Sequence, residues 1–286
     1  MGCLNDDDTW KHWFANVHLS GPCNRRCYFC IGQHMMALDS FNSLDSKAST
    51  MTGMNEFLES CMIKECKEVF LTGTNTDPAL YRHHKDFVEF MKVNLEIPIG
   101  IRTNGTAHVS ELQYYDKGSI TICSLDPSVN LKMMGGPPCD LGEIALHVRD
   151  ISKWKINCVL GPENANGRTL LELVDACEKF GIPRINLREP YGQPYVGDAF
   201  LTALRKRTKK ILQDTVDVYT FGNVEVSYWN VHYVGVRSVN LYANGRVSQD
   251  YPITKGHAEN GIVLPQDRFD HGRHQRQWLT PPIKEG

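Results

Sequence analysis

Short apolar runs alternate with amphipathic segments through residue 213, and this rhythm limits the folds that are open to the chain. The runs have the length of buried strands, and the segments between them carry apolar residues at helical spacing. Because a right-handed crossover returns each strand beside the one before it, such a string predicts a parallel sheet covered by helices. The six predicted strands are residues 13–19, 68–72, 97–102, 119–124, 155–160 and 184–188.

The sequence pattern changes near residue 215. A helix predicted over residues 199–212 is followed by alternating β-type segments, and Asn244-Gly245 is a strong hairpin-turn signal between the last two. We therefore predict two parts, an α/β domain over residues 1–214 and a C-terminal antiparallel β extension with a polar tail over residues 215–286. The predicted strands of the extension are residues 223–228, 231–236, 239–242 and 246–250.

Composition excludes several classes of protein. The 286 residues hold 31 Lys and Arg against 33 Asp and Glu, so the net charge of −2 does not indicate a nucleic-acid partner, although a basic run at residues 205–210 leaves one open. The acidic start lacks the regions of a signal peptide, so the ten cysteines suggest a reducing, cytoplasmic location and not a disulfide framework. No apolar stretch approaches bilayer length, so no membrane association is expected.

Three cysteines lie within eight residues, directly after the first predicted strand. Cys23, Cys27 and Cys30 occur in the run Gly-Pro-Cys-Asn-Arg-Arg-Cys-Tyr-Phe-Cys. Three thiolates on one loop can hold three irons of a [4Fe–4S] cluster and leave the fourth open to bind another molecule. The alternative is a structural zinc site in which His34 completes a Cys3His set. Such zinc sites usually stabilise regions without a core of their own, whereas this loop follows a buried strand.

The spacing Cys23-x3-Cys27-x2-Cys30, with Phe29 directly before the third cysteine, resembles the signature of the radical S-adenosylmethionine (SAM) superfamily. The resemblance covers roughly residues 12–213 and implies a partial (β/α)6 TIM-like barrel, a [4Fe–4S] cluster on the three cysteines, and SAM bound to the open iron. Family members usually carry Gly-Gly-Glu after the second strand to meet the SAM ammonium group. This chain has Thr72-Gly73-Thr74-Asn75 there, so hydroxyl, amide or backbone oxygens would have to replace the carboxylate.

Polar residues at the other strand ends complete the candidate SAM site, because TIM-like folds place their active sites at the carboxyl ends of the strands. The resemblance implies that Ser124, Asp126 and Asn157 face the SAM carboxylate or ribose, and that backbone near Gly161 approaches the adenine. Each polar group can equally be satisfied by local hydrogen bonds. The candidate SAM-binding residues are Phe29, Thr72, Gly73, Thr74, Asn75, Asn104, Ser124, Asp126, Asn157 and Gly161.

Candidate catalytic residues lie beyond the later strands. Arg188 and Glu189 follow the sixth strand, where they can grip a substrate or form a mutual salt bridge. Cys139 can donate a hydrogen atom to a product radical, as can Cys123, although a buried structural thiol is the simpler interpretation. Further acid–base candidates are Tyr191 and His34, and polar candidates of the C-terminal part are Asp250, Tyr251 and His257.

The resemblance implies reductive cleavage of SAM to methionine and a 5′-deoxyadenosyl radical, which abstracts a hydrogen atom from the substrate. An electron donor such as flavodoxin or ferredoxin is then required. The absence of a second cysteine cluster near the C-terminus predicts one cluster and favours a small-molecule substrate, namely a nucleoside, sugar or amino-acid derivative. Two alternatives stay open: radical modification of a nucleic-acid base or peptide, and a non-catalytic zinc-dependent binding module.

Overall fold

A computed structural model describes residues 12–34, 42–190, 197–205, 210–213, 216–229 and 237–250. In this part of the chain eleven strands form one sheet in the order β11-β10-β1-β2-β3-β4-β5-β6-β9-β8-β7. The strands are β1 (Phe14–Leu19), β2 (Val69–Gly73), β3 (Ile99–Thr103), β4 (Lys117–Thr121), β5 (Trp154–Val159), β6 (Arg184–Arg188), β7 (Lys210–Gln213), β8 (Val216–Phe221), β9 (Val224–Trp229), β10 (Ser238–Leu241) and β11 (Val247–Ser248).

Six α-helices accompany these strands within the described ranges. They are α1 (Met54–Ile63), α2 (His84–Leu95), α3 (Pro127–Met134), α4 (Leu141–His147), α5 (Gly167–Phe180) and α6 (Asp198–Arg205). Strands β1 to β6 lie side by side in chain order, and every neighbouring pair among them is parallel. The predicted α/β fold class, with its largely parallel open sheet, is confirmed.

The two faces of the sheet differ in polarity. Val17 of β1 and Leu71 of β2 belong to the main apolar cluster, together with Phe57 of α1 and Phe87 of α2. Because successive side chains of a strand point to opposite faces, the residues between these apolar ones lie on the face away from the helices, which we call the inner face. It carries buried polar side chains along five strands, namely Asn16, His18, Ser119, Asn157, Asn186 and Ser227.

The C-terminal strands extend the same sheet at both of its edges. β9 pairs in parallel with β6, and β10 pairs in parallel with β1. The expected antiparallel character holds for β7–β8, β8–β9 and β10–β11. The boundary near residue 215 stays a prediction, and the predicted strand at 231–236 lies outside the described residues.

Several predicted helices were wrong in their extent. The helix predicted over 199–212 ends at Arg205, and β7 begins at Lys210 because its backbone pairs with β8. The apolar spacing over residues 141–153 also predicts one long helix, but α4 ends at His147. Helix α3 was missed, although its signals are present: Asp126 caps it by accepting from the backbone N–H of Ser128, and Pro127 occupies its first turn.

No helix within the described ranges combines the length and the apolar character that crossing a bilayer requires.

His84 at the start of α2 predicts how stability depends on pH. Burial lowers the pKa of His84 from 6.5 to about 4. His84 therefore binds a proton near pH 6.5 in the unfolded chain, whereas in the folded protein it binds one only near pH 4. This group's contribution to stability is complete above pH 6.5 and is lost as the pH falls towards 4, with a slope of up to about 1.4 kcal/mol per pH unit. Urea unfolding across this range should show a shallower slope in His84→Gln; an unchanged slope would contradict this prediction.

Candidate functional site

The three cysteines lie on a loop that follows β1 and crosses the carboxyl ends of the neighbouring strands. We call residues 20–32 the cysteine loop. The side chain of Cys23 is exposed, whereas Cys27 and Cys30 are partly buried. The Sγ atom of Cys27 lies 3.9 Å from the carbonyl oxygen of Met134, and that of Cys30 lies 3.9 Å from the carbonyl oxygen of Thr74. The loop therefore lies between the end of β2 and the end of α3.

The segment after β2 anchors one side of the cysteine loop. Thr74 donates from its backbone N–H and its hydroxyl to the carbonyl of Leu19, at 2.9 and 3.1 Å. Asn75 Oδ1 accepts from the backbone N–H of Gly21 at 3.0 Å. The side chains of Thr74 and Asn75, which we predicted to meet the SAM ammonium group, are thus used to hold the loop. At Gly73 a Cβ would lie 1.9 Å from the carbonyl oxygen of Thr76, so this glycine permits a tight turn.

A buried carboxylate joins the ends of β2 and β3. Asp77 accepts from the hydroxyl of Thr103 and the backbone N–H of Asn104, both at 2.6 Å, and from the backbone N–H of Ala79 at 2.8 Å. Burial raises the pKa of Asp77, while these hydrogen bonds and the charge of Arg25 act in the opposite direction. Sequence reasoning missed this residue, although Asp77-Pro78 has the composition of a helical cap.

Asn104 extends this connection to the cysteine loop. Its Nδ2 donates to Asn24 Oδ1 at 2.8 Å, and Asn24 Nδ2 donates to the hydroxyl of Thr106 at 3.1 Å. Asn104 was predicted to bind SAM, and its side chain instead has partners in the loop and in Thr106. The segment after β3 therefore holds the side chain of Asn24, which lies between the first two cysteines.

The other side of the loop rests on apolar residues. The backbone N–H groups of Arg26 and Tyr28 donate to the carbonyls of Met134 and Met133. Phe29, a predicted SAM contact, packs edge-on against Tyr28 with ring centroids 5.4 Å apart. This small cluster, which excludes water beneath the loop, consists of Cys123, Met133 and Met134, with Cys27, Tyr28, Phe29, Val129 and Val159 packed against it.

Gly161, predicted to approach the adenine, makes room for Tyr28. A Cβ at this position would lie 2.1 Å from the hydroxyl oxygen of Tyr28. The Gly161 backbone N–H donates to the buried Asn164, whose Nδ2 donates to the carbonyls of Cys123 and Val159. Asn164 was not predicted, and it joins the ends of β4 and β5.

The three thiols influence one another. Burial raises the pKa of Cys27 to about 12, and the neighbouring Cys30 and Cys23 add to this shift. Burial also raises the pKa of Cys23, and Asp77 and Cys30 contribute. In the described part of the chain, no three His, Cys, Asp or Glu side chains converge as ligands around a metal. The three cysteines are nevertheless neighbours on one anchored loop, and three sulfur donors are the ligand type that an iron–sulfur cluster requires.

The polar candidates after β4 and β5 fall into two groups. Ser124 accepts from the backbone N–H of Asp126, and the Asp126 carboxylate caps α3, which lowers its pKa. Both groups thus have local partners. Asn157 on β5 is 5% exposed, yet its Oδ1 has no hydrogen-bond partner. Of the predicted SAM-binding residues, Thr72 and Asn157 occupy the inner face, beside His18 and Asn186 in the register of the sheet.

The predicted catalytic residues have different surroundings. Glu189 is buried, and its carboxylate accepts from the hydroxyl of Tyr228 on β9 at 2.5 Å. The guanidinium of Arg188 lies 5.4 Å from the ring centroid of Trp229, also on β9. Cys139 belongs to the main apolar cluster, and burial raises the pKa of its thiol to about 12. Tyr191, Tyr251, His257 and the side chain of His34 lie outside the described residues.

Solved structures of Streptococcus suis SuiB share this fold. One SuiB structure matches with a TM-score of 0.59 and 15% identity over 84% of this chain and 60% of SuiB. The structure of SuiB bound to precursor peptide SuiA matches with a TM-score of 0.58 and 14% identity over 89% of this chain and 65% of SuiB. The structure of SuiB bound to S-adenosylmethionine matches with a TM-score of 0.50 and 18% identity over 68% of this chain and 45% of SuiB.

Coproporphyrinogen III oxidase (HemN) from Escherichia coli, a radical SAM enzyme, matches with 13% identity over 70% of this chain and 50% of HemN. Its TM-score of 0.41 is too low to define a shared fold. No protein-family model and no curated protein sequence matches this chain. The chain spans less than two thirds of the length of SuiB in each comparison. At these identities the similarity establishes a common fold with a SAM-binding protein.

The buried hydrogen bonds of Asp77 predict that replacing this residue strongly lowers the stability of the protein. In Asp77→Ala, the Thr103 hydroxyl and the N–H groups of Asn104 and Ala79 lose a buried acceptor, so the free energy of unfolding should fall by about 3 kcal/mol. The matched control is Asp140→Ala, which removes an exposed cap of α4 and should cost about 1 kcal/mol. Urea unfolding measures both. Equal losses in the two variants would contradict the role of Asp77.

The contact between Gly161 and Tyr28 predicts that substitutions at the two positions have coupled effects on stability. Gly161→Ala should destabilise the protein by about 1–3 kcal/mol because the new methyl group overlaps the Tyr28 hydroxyl. The same change made in Tyr28→Phe should cost clearly less, since the overlapping oxygen is gone. Gly167→Ala is the control, because no atom lies within 4 Å of its Cβ position. A double-mutant cycle without coupling between residues 28 and 161 would refute this packing.

Proposed function

We propose that this protein is a radical SAM enzyme in which Cys23, Cys27 and Cys30 hold a [4Fe–4S] cluster with one open iron. The observation that carries the proposal is the Cys-x3-Cys-x2-Cys loop, which lies after the first strand of a sheet whose fold is shared with SAM-bound SuiB. When bound, the cluster and SAM supply one-electron cleavage of SAM to methionine and a 5′-deoxyadenosyl radical that takes a hydrogen atom from the substrate. Flavodoxin or ferredoxin is the proposed electron donor, in the cytoplasm.

The residues of the chain position the reactants and protect the site. Hydrogen bonds from Asn75 and Asn104 hold the backbone of the cysteine loop on one side. Phe29 and the apolar cluster around Met133 exclude water on the other side, which protects a reactive radical from side reactions. Because these anchoring contacts come from the protein itself, they limit the conformations of the loop that carries the thiols.

The candidate SAM contacts differ in the polar atoms that they can offer to SAM. Asn157 has a buried oxygen available on the inner face and is the best-supported polar contact. Thr72 lies on the same face, and backbone oxygens after β2 are the proposed acceptors for the SAM ammonium group. The proposed substrate contacts are Arg188 and Glu189, held by Trp229 and Tyr228. Cys139 keeps its hydrogen at neutral pH and is thereby chemically able to donate it.

The proposed substrate is a small molecule, a nucleoside, sugar or amino-acid derivative. A peptide is the second candidate, because SuiB bound to its precursor peptide SuiA has the same fold. At least a third of the SuiB chain has no counterpart here, so any peptide would have to be recognised with fewer protein residues. A nucleic-acid base lacks comparable support, since the net charge is −2.

Anaerobic reconstitution with iron and sulfide tests this function. The protein should become brown, and reduction in the presence of SAM should release methionine and 5′-deoxyadenosine. Replacement of Cys23, Cys27 or Cys30 by Ala should abolish SAM cleavage, because the open-iron geometry needs all three ligands. Cys177→Ala is the matched control, since this buried thiol of α5 belongs to the main apolar cluster.

The competing zinc module makes the opposite prediction. A colourless protein with stoichiometric zinc, which unfolds on chelation and whose melting temperature SAM leaves unchanged, would contradict the proposed function. SAM cleavage that survives in the Cys27→Ala variant would contradict the proposed ligand set.

A further inference from the structure

The inner face of the sheet holds uncharged groups that lack hydrogen-bond partners. The unpartnered atoms are Asn16 Oδ1, His18 Nδ1, Ser119 Oγ, Asn157 Oδ1 and Asn186 Nδ2. Each belongs to a side chain that is at most 7% exposed. A buried polar atom without a partner costs about 1–3 kcal/mol, so a group of them on one face requires an explanation.

Asn240 fixes the tautomer of His18. The Nδ2 atom of Asn240 donates to the carbonyls of Asp250 at 3.0 Å and Ser248 at 3.3 Å, which can only accept, so the amide cannot be reversed without losing both bonds. Its Oδ1 therefore faces β1, where Asn16 Nδ2 donates to it at 2.7 Å and His18 Nε2 lies 3.3 Å away. An amide oxygen accepts only, so Nε2 carries the ring hydrogen and Nδ1 has a free lone pair.

His18 is a neutral acceptor in a fixed position. Burial lowers its pKa to about 4; the bond with Asn240 opposes this shift, and the charge of Arg102 adds to it. The ring stacks on Tyr242, with centroids 4.9 Å apart and planes 15° apart. The Arg102 guanidinium itself lies 4.3 Å from the ring centroid of Phe70. The imidazole is thus held by Asn240 and Tyr242 with one nitrogen unused.

His84 shows what a structural buried histidine looks like in this protein. Its pKa is also lowered to about 4 by burial. Its Nε2 lies 3.2 Å from the carbonyl of Ala79 and its Nδ1 lies 2.7 Å from the hydroxyl of Tyr115, so both nitrogens have partners. Burial alone therefore does not explain why Nδ1 of His18 has none.

Charged side chains near the inner face already contact other groups. Lys117 forms an ion pair with Glu68, and Glu189 accepts from Tyr228. Lys155, Arg184 and Glu225 also have interaction partners. The Arg102 guanidinium, whose charge acts on His18, lies over the rings of Phe14 and Phe70 and disfavours a cationic ligand. The acceptors that β1 offers are Asn16 Oδ1 and His18 Nδ1, which complement O–H or N–H donors on an uncharged molecule.

We propose that His18 Nδ1 is a specificity-determining acceptor that binds an uncharged O–H or N–H group of the substrate, with Asn240 as its positioning residue. This inference rests on the proposed function, because it assigns the substrate of that site to the neutral polar class. It adds β1 and β10 to the substrate site, whereas the predicted substrate contacts Arg188 and Glu189 lie at the end of β6.

Three small probes of similar shape and different charge test the proposal: acetamide, acetate and acetamidinium. The full-length, cluster-reconstituted protein is labelled with 15N in its histidines, and the His18 resonances are assigned by their loss in His18→Gln. We expect an unprotonated Nδ1 whose resonance shifts on titration with acetamide, with at least about tenfold weaker responses to acetate and acetamidinium. His84 is the internal control and should not respond.

Asn240→Asp provides the second variant. Its carboxylate should favour protonation of His18, so Nδ1 should become protonated and the response to acetamide should disappear. A protonated Nδ1 in the unaltered protein, a silent His18 in the acetamide titration, or an equal response to acetate would overturn the proposal. SAM cleavage is measured on the same samples: its loss with an intact acetamide response would refute the proposed function and not this site.

Discussion

The buried carboxylate of Asp77 is the interaction on which the arrangement of the site depends. It accepts three hydrogen bonds at the point where β2 and β3 end, and one of its donors is the backbone of Asn104, whose side chain reaches Asn24 in the cysteine loop. A loop of this kind would otherwise sample many conformations at a cost of about 1–2 kcal/mol per residue to order. The sheet thereby anchors the loop that carries the thiols.

The division of the sheet into an apolar and a polar face explains how the protein can bury polar side chains and keep its core. Apolar residues at alternate positions bury against the helices and supply the core, which allows the inner face to carry asparagine, serine and histidine without losing the fold. The C-terminal strands take part in this division, because Asn240 of β10 orients Asn16 and His18 on β1. The segment after residue 215 thus contributes directly to the composition of the inner face.

Much of the fold could be predicted from the sequence, because strand periodicity and short connections act locally. Five of the predicted strands of the parallel core lie within about two residues of the observed bounds; the fourth, predicted to begin at 119, begins at Lys117 and ends earlier, at Thr121. The extent of α6 was wrong because pairing between β7 and β8 outweighs local helical periodicity. The cysteine motif was visible because all its residues are adjacent in the chain.

The unpredicted parts of the site depend on contacts between distant residues. Gly161 is needed because Tyr28, which is 133 positions earlier in the chain, packs against it. Similarly, nothing near His18 in the sequence indicates that Asn240 will orient its ring. Asp77 follows the segment that departs from the family pattern, and its burial is visible only once β2 and β3 are paired. Local sequence patterns therefore predicted the three cysteines, whereas the residues that anchor the cysteine loop were not predicted in that role.

The most direct test of the central claim is electron–nuclear double resonance on the reduced, reconstituted protein with SAM labelled with 17O in its carboxylate and 15N in its amino group. An iron that the three cysteines leave open predicts hyperfine couplings from both labels, because SAM then binds that iron through both groups. A cluster spectrum that shows neither coupling, or that SAM leaves unchanged, would contradict the account.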